Sequence, residues 1–391
     1  MRILFDHQVF SWQRYGGISR YFAEQLRWLK SLGQDVLLPE HFYSENVYLR
    51  EFPDFQRGSL ASFSFKGKKL LQNILGRQAS LKAIRQKNPA VFHPTYFDPY
   101  FLNTAKKKGV PFVLTVHDMI HEIYGHGSRS LFSLDAQVVE NKRILAEKAA
   151  AIIAVSENTR QDLLRFCPQI EPSKIHVIHH GNSLIPPGDS LDTHRVTASR
   201  PVSVETITRS ETITFPYLLF VGHRKAYKNF AWMVEHLADL LRSEKDLQLI
   251  CVGGSTFDDL EKIQLERLGI TDKVRYWRVD SDVALADLYS HAACFIFPSR
   301  YEGFGIPVLE AFACGCPVVL NRASSLPEVG GDASSYFEEE YPLSLEWAVQ
   351  RILYDSDFRK YLVERGHERA KQFTWAQSAA KHLAVYQSIV N

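Results

Sequence analysis

Short apolar segments alternate with longer segments of helical, amphipathic pattern along most of the chain. The short segments have the length and the composition of buried strands. In the first half they cover residues 3–5, 36–38, 112–116, 152–155 and 175–178, and in the second half residues 217–221, 247–252, 274–276, 294–297 and 318–320. Helical patterns intervene, as over residues 18–32 and 131–150. This alternation predicts an α/β fold of parallel sheets with helices on both faces.

The stretch between the two strand–helix series has a different character. Residues 183–216 are rich in Pro, Ser and Thr and lack apolar periodicity, which is typical of a linker. A chain of 391 residues is also too long for one ordinary hydrophobic core. We therefore predict a first domain over residues 1–182, a linker or insertion over 183–216, a second domain over 217–372 and a last helix over 373–391.

Composition and charge narrow the class of protein. The net charge of +2 argues against a dedicated nucleic-acid-binding protein, which would usually be more basic. The five cysteines lack the spacing of metal ligands and are interpreted as reduced thiols of a cytosolic protein. Asp6 and His7 follow the first apolar residues at once, so no signal peptide is expected, and no long apolar run predicts a membrane span. We expect a cytoplasmic protein.

Two glutamates enclose a glycine-rich turn in the last third of the chain. Glu302 and Glu310 are separated by Gly303, Gly305 and Pro307 among others, and the turn connects an apolar strand to a helical pattern. Glycine lets backbone amides approach an anion closely, proline fits the first helical turn, and a helix N-terminus attracts phosphate. Eight residues are a little over two helical turns, so both carboxylates can face one cleft. By spacing alone, a buried strand–turn–helix with two solvated glutamates is equally compatible.

The residues around these glutamates resemble the motif of glycosyltransferase family four, the retaining GT-B enzymes. In that family, two glutamates at this spacing bind a nucleotide-sugar donor. The similarity continues through residues 299–311, 315–319 and 325–331. It implies two Rossmann-like domains that face each other across a cleft, with the C-terminal helix crossing back to the first domain. The resemblance also implies that the chain is a hexosyltransferase whose substrate is a nucleotide sugar.

The resemblance assigns roles to individual residues of this motif. Glu302 would act in catalysis by accepting hydrogen bonds from donor hydroxyls, and Glu310 would bind the ribose. The backbone around Gly303, Phe304 and Gly305 would lie against the donor diphosphate.

A basic turn, residues 222–229, follows the first strand of the second series. Its cations stand where open α/β sheets bind ligands, at the carboxyl end of a strand, although a solvated turn would have the same composition. The turn is similar to the family's phosphate-binding loop, which implies that Gly222, Arg224 and Lys228 bind the donor and that the two cations act in catalysis. The family often has Arg directly after the glycine, whereas His223 stands there in this chain, so either His223 or Arg224 can be the second phosphate contact beside Lys228.

Two features of the first domain complete the candidate site. Gly16 and Gly17 lie at the start of a predicted helix, where they form either a tight turn or, as the resemblance implies, a loop that lets a ligand approach the backbone. His117 directly follows the strand at residues 112–116. A lone histidine at a strand end is often structural, but the match to the family's active-site histidine implies a contact with the donor sugar.

The expected chemistry needs neither a metal ion nor a cofactor. Breaking the anomeric bond places negative charge on the leaving diphosphate, which Lys228 and Arg224 would stabilise. No Asp-x-Asp donor-metal motif precedes a suitable site. As in the family, the leaving phosphate would take the acceptor proton during front-face attack, with retention of the anomeric configuration.

A general likeness of residues 15–21 and 222–225 to mannosyltransferases favours mannose from GDP-mannose as the transferred hexose. The acceptor would be a glycan or a lipid-linked molecule in the synthesis of bacterial surface polysaccharide, such as lipopolysaccharide. UDP-glucose and UDP-N-acetylglucosamine remain alternative donors. An alternative from another class is a non-catalytic subunit of the same fold that binds a glycan or a nucleotide.

Residues 65–88 form a basic stretch without an acidic residue. Its cations are Lys66, Lys68, Lys69, Arg77, Lys82, Arg85 and Lys87, with leucines and isoleucines between them. Such a segment either lies on an anionic membrane surface or forms an ordinary exposed helix pair. The first interpretation predicts peripheral contact with the inner face of the membrane, where a lipid-linked acceptor would be available.

Overall fold

A computed structural model describes residues 1–52, 55, 57–58, 67–125, 132–184, 213, 215–224 and 226–390. The chain divides into two compact units, the first formed by Met1–Gly181 together with Trp375–Asn391 and the second by Asn182–Thr374. Most of the predicted linker, residues 183–216, lies outside the described residues. The C-terminal helix belongs to the same unit as the N-terminal half of the chain.

The first unit alternates short strands with helices. Its described strands are β1 (Arg2–Phe5), β2 (Asp35–Leu37), β3 (Phe42–Tyr43), β4 (Arg57–Gly58), β5 (Val91–His93), β6 (Val113–Val116), β7 (Ala151–Ala154) and β8 (Ile175–Val177). Its described helices are α1 (Gln8–Trp12), α2 (Gly17–Ser31), α3 (Lys68–Lys87), α4 (Leu102–Lys108), α5 (Ile120–Tyr124), α6 (Phe132–Lys148), α7 (Glu157–Phe166) and α15 (Trp375–Ser388). Short 3-10 turns occur at Tyr48–Glu51 and Pro172–Lys174.

The paired strands of this unit run parallel. Two three-stranded sheets have the orders β2-β1-β5 and β6-β7-β8, and a parallel bridge between Phe92 and Phe112 joins them. Strands β3 and β4 form a separate pair. Because parallel strands end at the same edge of a sheet, the residues that follow β1, β5 and β6 lie along one edge of this layer. That edge therefore carries Asp6, the loop at residues 94–98 and His117.

Apolar side chains of the strands and helices form the core of the first unit. Phe5 and Phe22 are buried in it, and α15 contributes Trp375, Ala379 and Tyr386 to the same core. Helices α2 and α6 confirm the two helices that the hydrophobic pattern predicts over residues 18–32 and 131–150, within two residues at each end. Strand β5 is not predicted by that pattern, because three residues that include a histidine are too short to show a period.

The second unit is a single parallel sheet flanked by helices. Its described strands are β9 (Tyr217–Val221), β10 (Gln248–Val252), β11 (Val274–Trp277), β12 (Cys294–Phe297), β13 (Val318–Asn321) and β14 (Ser334–Phe337). Its described helices are α8 (Phe230–Ser243), α9 (Asp259–Arg267), α10 (Asp282–His291), α11 (Ile306–Ala313), α12 (Leu326–Gly330), α13 (Leu343–Tyr354) and α14 (Ser356–Lys371), with 3-10 turns at Ala226–Lys228 and Gly331–Ala333.

The strand order of the second unit identifies where a ligand would bind. The sheet has the order β11-β10-β9-β12-β13-β14, so the direction of winding reverses between β9 and β12. In open α/β sheets, ligands bind outside the carboxyl ends of the strands at such a switch point. The chain segments that follow β9 and β12 are the basic turn and the glutamate-containing turn. The prediction of parallel sheets between helices is confirmed in both units.

Candidate functional site

An ion pair joins the two turns at the switch point. The Nζ atom of Lys228 lies 2.6 Å from Oε1 of Glu302, and the two side chains are only 15% and 12% exposed. The ammonium group also lies over the rings of Phe297 and Tyr227, at 5.0 and 5.4 Å from their centroids. Lys228 and Glu302 are 74 positions apart in the sequence, and the family resemblance assigns both to the donor site. The ion pair brings them into direct contact.

The turn that carries Glu302 is held by the neighbouring loop after β13. Ser324 Oγ accepts a hydrogen bond from the backbone amide of Glu302 at 2.9 Å. The buried hydroxyl of Ser325 lies 2.8 Å from the carbonyl oxygen of Glu302 and 2.9 Å from that of Phe304. These serines hold the glycine-rich turn in place. Sequence reasoning does not single out their role, although their position after a strand of the same sheet is a usable signal.

Gly305 sets the start of helix α11. Its φ of 107° lies in the left-handed region, which favours glycine, and a Cβ there would also make a tight contact of 3.2 Å with Leu326 Cδ2. Pro307 occupies the first turn as predicted, and that turn carries no acidic side chain. The partial positive charge of the helix N-terminus is therefore not offset by a carboxylate in the first turn.

Glu310 lies on α11, and its side chain is buried. It neighbours the buried phenol of Tyr289 on α10, where burial first and the Glu310 carboxylate second raise the pKa of Tyr289 well above its usual value. The predicted contact of Glu310 with a ribose stays a prediction. A ligand hydroxyl that bonded this buried carboxylate would do so in a dry environment, where such a hydrogen bond is strong.

Arg224 has more polar contacts with the protein than Lys228 has. Its side chain is 4% exposed, and its guanidinium pairs with Glu261 through Nε at 2.8 Å and Nη2 at 3.2 Å. It also donates to the carbonyl oxygens of Gly253 and Ser255, at 3.2 and 2.5 Å. The role of Arg224 at the diphosphate stays a prediction, and its contacts show a cation that fixes the basic turn against the loop after β10.

Sequence reasoning does not anticipate the partner of Arg224. Glu261 stands 37 positions away and completes a capping box at the start of α9, since its side chain accepts from the backbone amide of Asp258. Gly222, with a φ of 141°, packs beside Gly253. A Cβ on Gly253 would lie within 3.3 Å of the Gly222 backbone. The backbones of the two loops therefore meet closely at this glycine pair.

His117 stands at the carboxyl end of β6, as predicted, and is buried. Burial lowers the pKa of His117 to about 4, so the ring is neutral at neutral pH. Its ring meets Tyr21 edge-to-face at 4.9 Å and lies parallel to His180 at 6.0 Å. Within the described part of the chain, its Nε2 atom is buried and has no hydrogen-bond partner. The ring thus has an unused polar nitrogen.

Hydrogen bonds fix the position of Tyr21 beside His117. His382 Nδ1 lies 2.7 Å from the carbonyl oxygen of Ser378, which can only accept, so this nitrogen carries the proton. The other nitrogen, Nε2, is then an acceptor, and the Tyr21 hydroxyl at 2.6 Å must donate to it. Helix α15 therefore holds Tyr21 in one orientation.

The same reasoning extends the chain of hydrogen bonds to the sheet. Because the Tyr21 proton is directed to α15, Thr115 Oγ at 3.0 Å donates to the Tyr21 oxygen. Thr115 must then accept from His93 Nε2 at 2.9 Å, and the second nitrogen of His93 accepts from the Tyr386 hydroxyl at 2.6 Å. Burial lowers the pKa of His93 and His382. Both histidine rings of this hydrogen-bond network are therefore neutral, His382 with its proton on Nδ1 and His93 with its proton on Nε2.

The glycines at the start of α2 separate in role. Gly16 is extended, and a Cβ there would come within 2.8 Å of Gln13 Oε1, an oxygen that also accepts from the Ser19 amide at 3.2 Å. A Cβ at Gly17 would meet nothing within 4 Å. A Cβ at Gly16 would therefore displace the Gln13 side chain from the Ser19 amide, whereas the space beside Gly17 is open. The predicted ligand contact of both glycines stays a prediction.

The basic stretch is partly neutralised by acids from elsewhere in the unit. Lys68 pairs with Glu45 at 2.6 Å, Arg77 with Asp98 at 2.5 Å and Lys87 with Glu40 at 2.7 Å, while Lys66 lies outside the described residues. On α3, Leu70 and Ile74 are exposed. No helix in the described ranges is both long and apolar enough to cross a membrane.

Comparison with known proteins relates this architecture to a family. The model of Glycosyltransferase Family 4 matches residues 15–184, and that of Glycosyl transferases group 1 matches residues 204–369. The chain is 25% identical to O-antigen chain mannosyltransferase B of Escherichia coli, and the match covers 95% of this chain and 96% of that protein.

Solved structures share the fold over almost the whole chain. Sucrose-phosphate synthase from Thermosynechococcus elongatus has a TM-score of 0.73 at 19% identity, with 99% of this chain and 98% of that chain covered. The Anabaena protein HepE in complex with UDP-glucose has a TM-score of 0.68 at 15% identity, with 98% and 99% covered. The predicted fold class is confirmed, and the chain belongs to glycosyltransferase family four, the GT-B enzymes.

Proposed function

We propose that this glycosyltransferase moves a hexose, with mannose from GDP-mannose favoured, to a glycan or a lipid-linked acceptor of a bacterial surface polysaccharide. The observation that carries the proposal is the largely buried pair of Lys228 and Glu302 at the switch point of the second sheet. The preference for mannose is supported by the relative from Escherichia coli, a mannosyltransferase that matches nearly the whole chain. UDP-glucose and UDP-N-acetylglucosamine are the alternative donors, and a protein of the same fold was solved with UDP-glucose.

Lys228 is the cation best suited to meet a diphosphate. Its ammonium is held by one carboxylate and by the faces of two aromatic rings, whereas Arg224 is committed to a carboxylate and two carbonyl groups. When phosphate oxygens take the place of Glu302 on Lys228, the Glu302 carboxylate is released to accept hydrogen bonds from sugar hydroxyls. One ion pair would thus prepare both parts of the donor site.

The leaving diphosphate gains negative charge as the anomeric bond breaks. Lys228 and the N-terminus of α11, whose first turn carries no acid, would stabilise that charge from fixed positions, which is the condition under which electrostatic catalysis is most effective. In the first unit, the neutral His117 ring would bond a substrate hydroxyl through its unused nitrogen, which is buried and has to become accessible when the substrate binds. We further propose that the leaving phosphate accepts the acceptor proton, so that the reaction retains configuration and requires no metal ion.

A panel of donors tests the proposal. Hydrolysis of GDP-mannose, UDP-glucose and UDP-N-acetylglucosamine would be measured together with the thermal shift produced by GDP and by UDP. We expect turnover of GDP-mannose and a rise in Tm with GDP, because a ligand that binds only the folded chain stabilises it. A larger effect of a UDP-linked donor would change the donor assignment. A chain that no nucleoside diphosphate stabilises and no donor engages would favour the non-catalytic subunit.

We also propose peripheral contact with a membrane. Three cations of the basic stretch are paired with acids, so the contact would depend on the remaining exposed lysines. Lys69 and Lys82 are exposed, and exposed Leu70 and Ile74 lie on the same helix. Each exposed lysine near an anionic leaflet contributes about 1 kcal/mol at low salt. Replacing Lys69 and Lys82 by Gln should therefore reduce co-sedimentation with phosphatidylglycerol vesicles more than replacing the paired Lys87. Salt-insensitive or absent binding of the wild-type chain would contradict this part.

A further inference from the structure

A groove of about 430 Å³ opens in the first unit, apart from the residues discussed so far as donor contacts. It lies among α1, α3, α6 and the loop after β5, and Trp12, Tyr96, Asp98 and Gln137 are among its lining residues. Helix α1 and the loop directly follow the ends of β1 and β5, so the groove stands at the carboxyl edge of the parallel strands. That edge is where α/β units bind their ligands. We call it the Trp12 groove.

One wall of the Trp12 groove is aromatic. The Trp12 indole is 44% exposed, and the Tyr96 ring packs against it nearly perpendicularly, at 86° with 4.3 Å between ring centroids. An indole braced by a second ring presents a rigid apolar face with few degrees of freedom to lose when a ligand binds. The C–H face of a pyranose ring has the size and the weak polarity that such a surface accepts.

The loop that carries this wall is fixed by a buried carboxylate. Asp6 is fully buried and accepts from the Thr95 amide at 2.9 Å, the Thr95 hydroxyl at 2.6 Å and the Tyr100 hydroxyl at 3.0 Å. Gln8 donates to Asp6 at 2.7 Å and accepts from the Asp98 amide at 2.9 Å. Residues on both sides of Tyr96 are therefore held by hydrogen bonds, so the wall is arranged before any ligand arrives.

The polar side of the groove suits a neutral ligand. Arg77 and Asp98 form an ion pair at 2.5 Å, so the positive charge of this arginine is compensated by its neighbour. The carboxamides of Asn73, Gln137 and Asn141 offer hydrogen-bond donors and acceptors without charge. Sugar hydroxyls need both kinds of partner at once, whereas the Arg77–Asp98 pair offers a phosphate no net positive charge. The lining residues include one lysine, Lys69, and its side chain is exposed.

We propose that the Trp12 groove binds a neutral sugar residue of the acceptor, with its ring stacked on Trp12 and its hydroxyls bonded to the carboxamides and to the Arg77–Asp98 pair. This inference rests on the proposed transferase function and names the part of the acceptor that the first unit recognises. It places acceptor recognition on a glycan residue and not on a phosphate or a lipid chain.

Direct binding of simple sugars tests the groove without any turnover. Saturation-transfer NMR would be recorded with methyl α-mannoside, methyl α-glucoside and methyl α-galactoside on the wild-type chain, Trp12→Ala, Trp12→Phe and Trp347→Ala. Trp347 is the matched control, since it is an exposed tryptophan of the second unit. We expect a signal from at least one hexoside, a rise in its Kd of about tenfold or more for Trp12→Ala, and a much smaller change for Trp12→Phe.

Two outcomes would overturn the inference. One is that no hexoside binds the wild-type chain, and the other is that Trp12→Ala and Trp347→Ala bind it equally well. With a working acceptor, Trp12→Ala should raise the KM for that acceptor and leave the KM for the donor unchanged. The thermal shift with GDP or UDP decides the donor proposal separately, so a chain that binds nucleotide but no hexoside would refute the groove alone.

Discussion

Removing tyrosine hydroxyls from the buried hydrogen-bond chain around Tyr21 should lower the stability of the protein in proportion to the number of bonds lost. Tyr21→Phe keeps the ring that packs against His117 but removes a hydroxyl that joins His382 and Thr115 at 2.6 and 3.0 Å. Both partners are buried, so no water replaces the lost bonds. Two polar atoms are then left without a partner, His382 Nε2 as an acceptor and the Thr115 hydroxyl as a donor.

The magnitude follows from the number of atoms that lose their partner. A buried polar atom without a hydrogen bond costs about 1–3 kcal/mol, so Tyr21→Phe should lower the free energy of unfolding by roughly 2–6 kcal/mol. Tyr386→Phe removes only the bond to His93 and should cost about half as much. Tyr15→Phe is the matched control, because Tyr15 is 72% exposed and should change stability within about 0.5 kcal/mol.

Urea titrations of the three variants give the free energies, and NMR tests the direction of the bonds. Long-range ¹H–¹⁵N spectra should show His382 protonated at Nδ1 and His93 protonated at Nε2. Equal stability of Tyr21→Phe and Tyr15→Phe would refute the proposed network. A charged ring, or the opposite tautomer at either histidine, would refute its direction even if the stabilities follow the expected order.

Further predictions concern the donor site, acid stability and metal ions. Glu310→Ala should weaken nucleotide binding and Glu302→Ala should mainly slow transfer, each by about tenfold or more, as isothermal titration and initial rates would show; unchanged values in both variants would contradict the assignment. Burial lowers the pKa of His117 and His382 from 6.5 to about 4, so their neutral forms contribute stability that is complete above pH 6.5 and is lost as pH falls toward 4. A free energy of unfolding that stays constant across that window would be inconsistent with their burial. Transfer should persist in EDTA, and strict dependence on a divalent ion would contradict the leaving-group role of Lys228.

The fold was predictable because its signals are local and repeated. Apolar segments such as 217–221 and 294–297 have the length of buried strands, and helical patterns separate them, so parallel sheets follow from chain order alone. The proximity of Lys228 and Glu302 could also be predicted from the sequence, since each residue follows a strand of the same sheet and the carboxyl ends of parallel strands share an edge.

The remaining contacts depend on pairings that no local pattern contains. Arg224 has the sequence context of a phosphate ligand, but its partner Glu261 becomes apparent only when β9 and β10 lie side by side. The basic stretch contains no acid of its own, yet Glu45 and Asp98 reach it from other segments. The Tyr21 chain unites a helix near the N-terminus with the C-terminal helix, a separation of 361 positions to His382.

The charge of Lys228 is the most direct test of the donor site. Lys228→Ala should lower kcat by about 10²-fold or more, because it removes the fixed cation that stabilises the negative charge growing on the leaving diphosphate in the transition state. The KM for the acceptor should stay unchanged. Lys262→Ala is the matched control, since Lys262 is a 63% exposed lysine of the same unit whose acidic partner is a surface residue. The account predicts a large fall in kcat for Lys228→Ala and wild-type turnover for Lys262→Ala. Equal turnover of the two variants would contradict it.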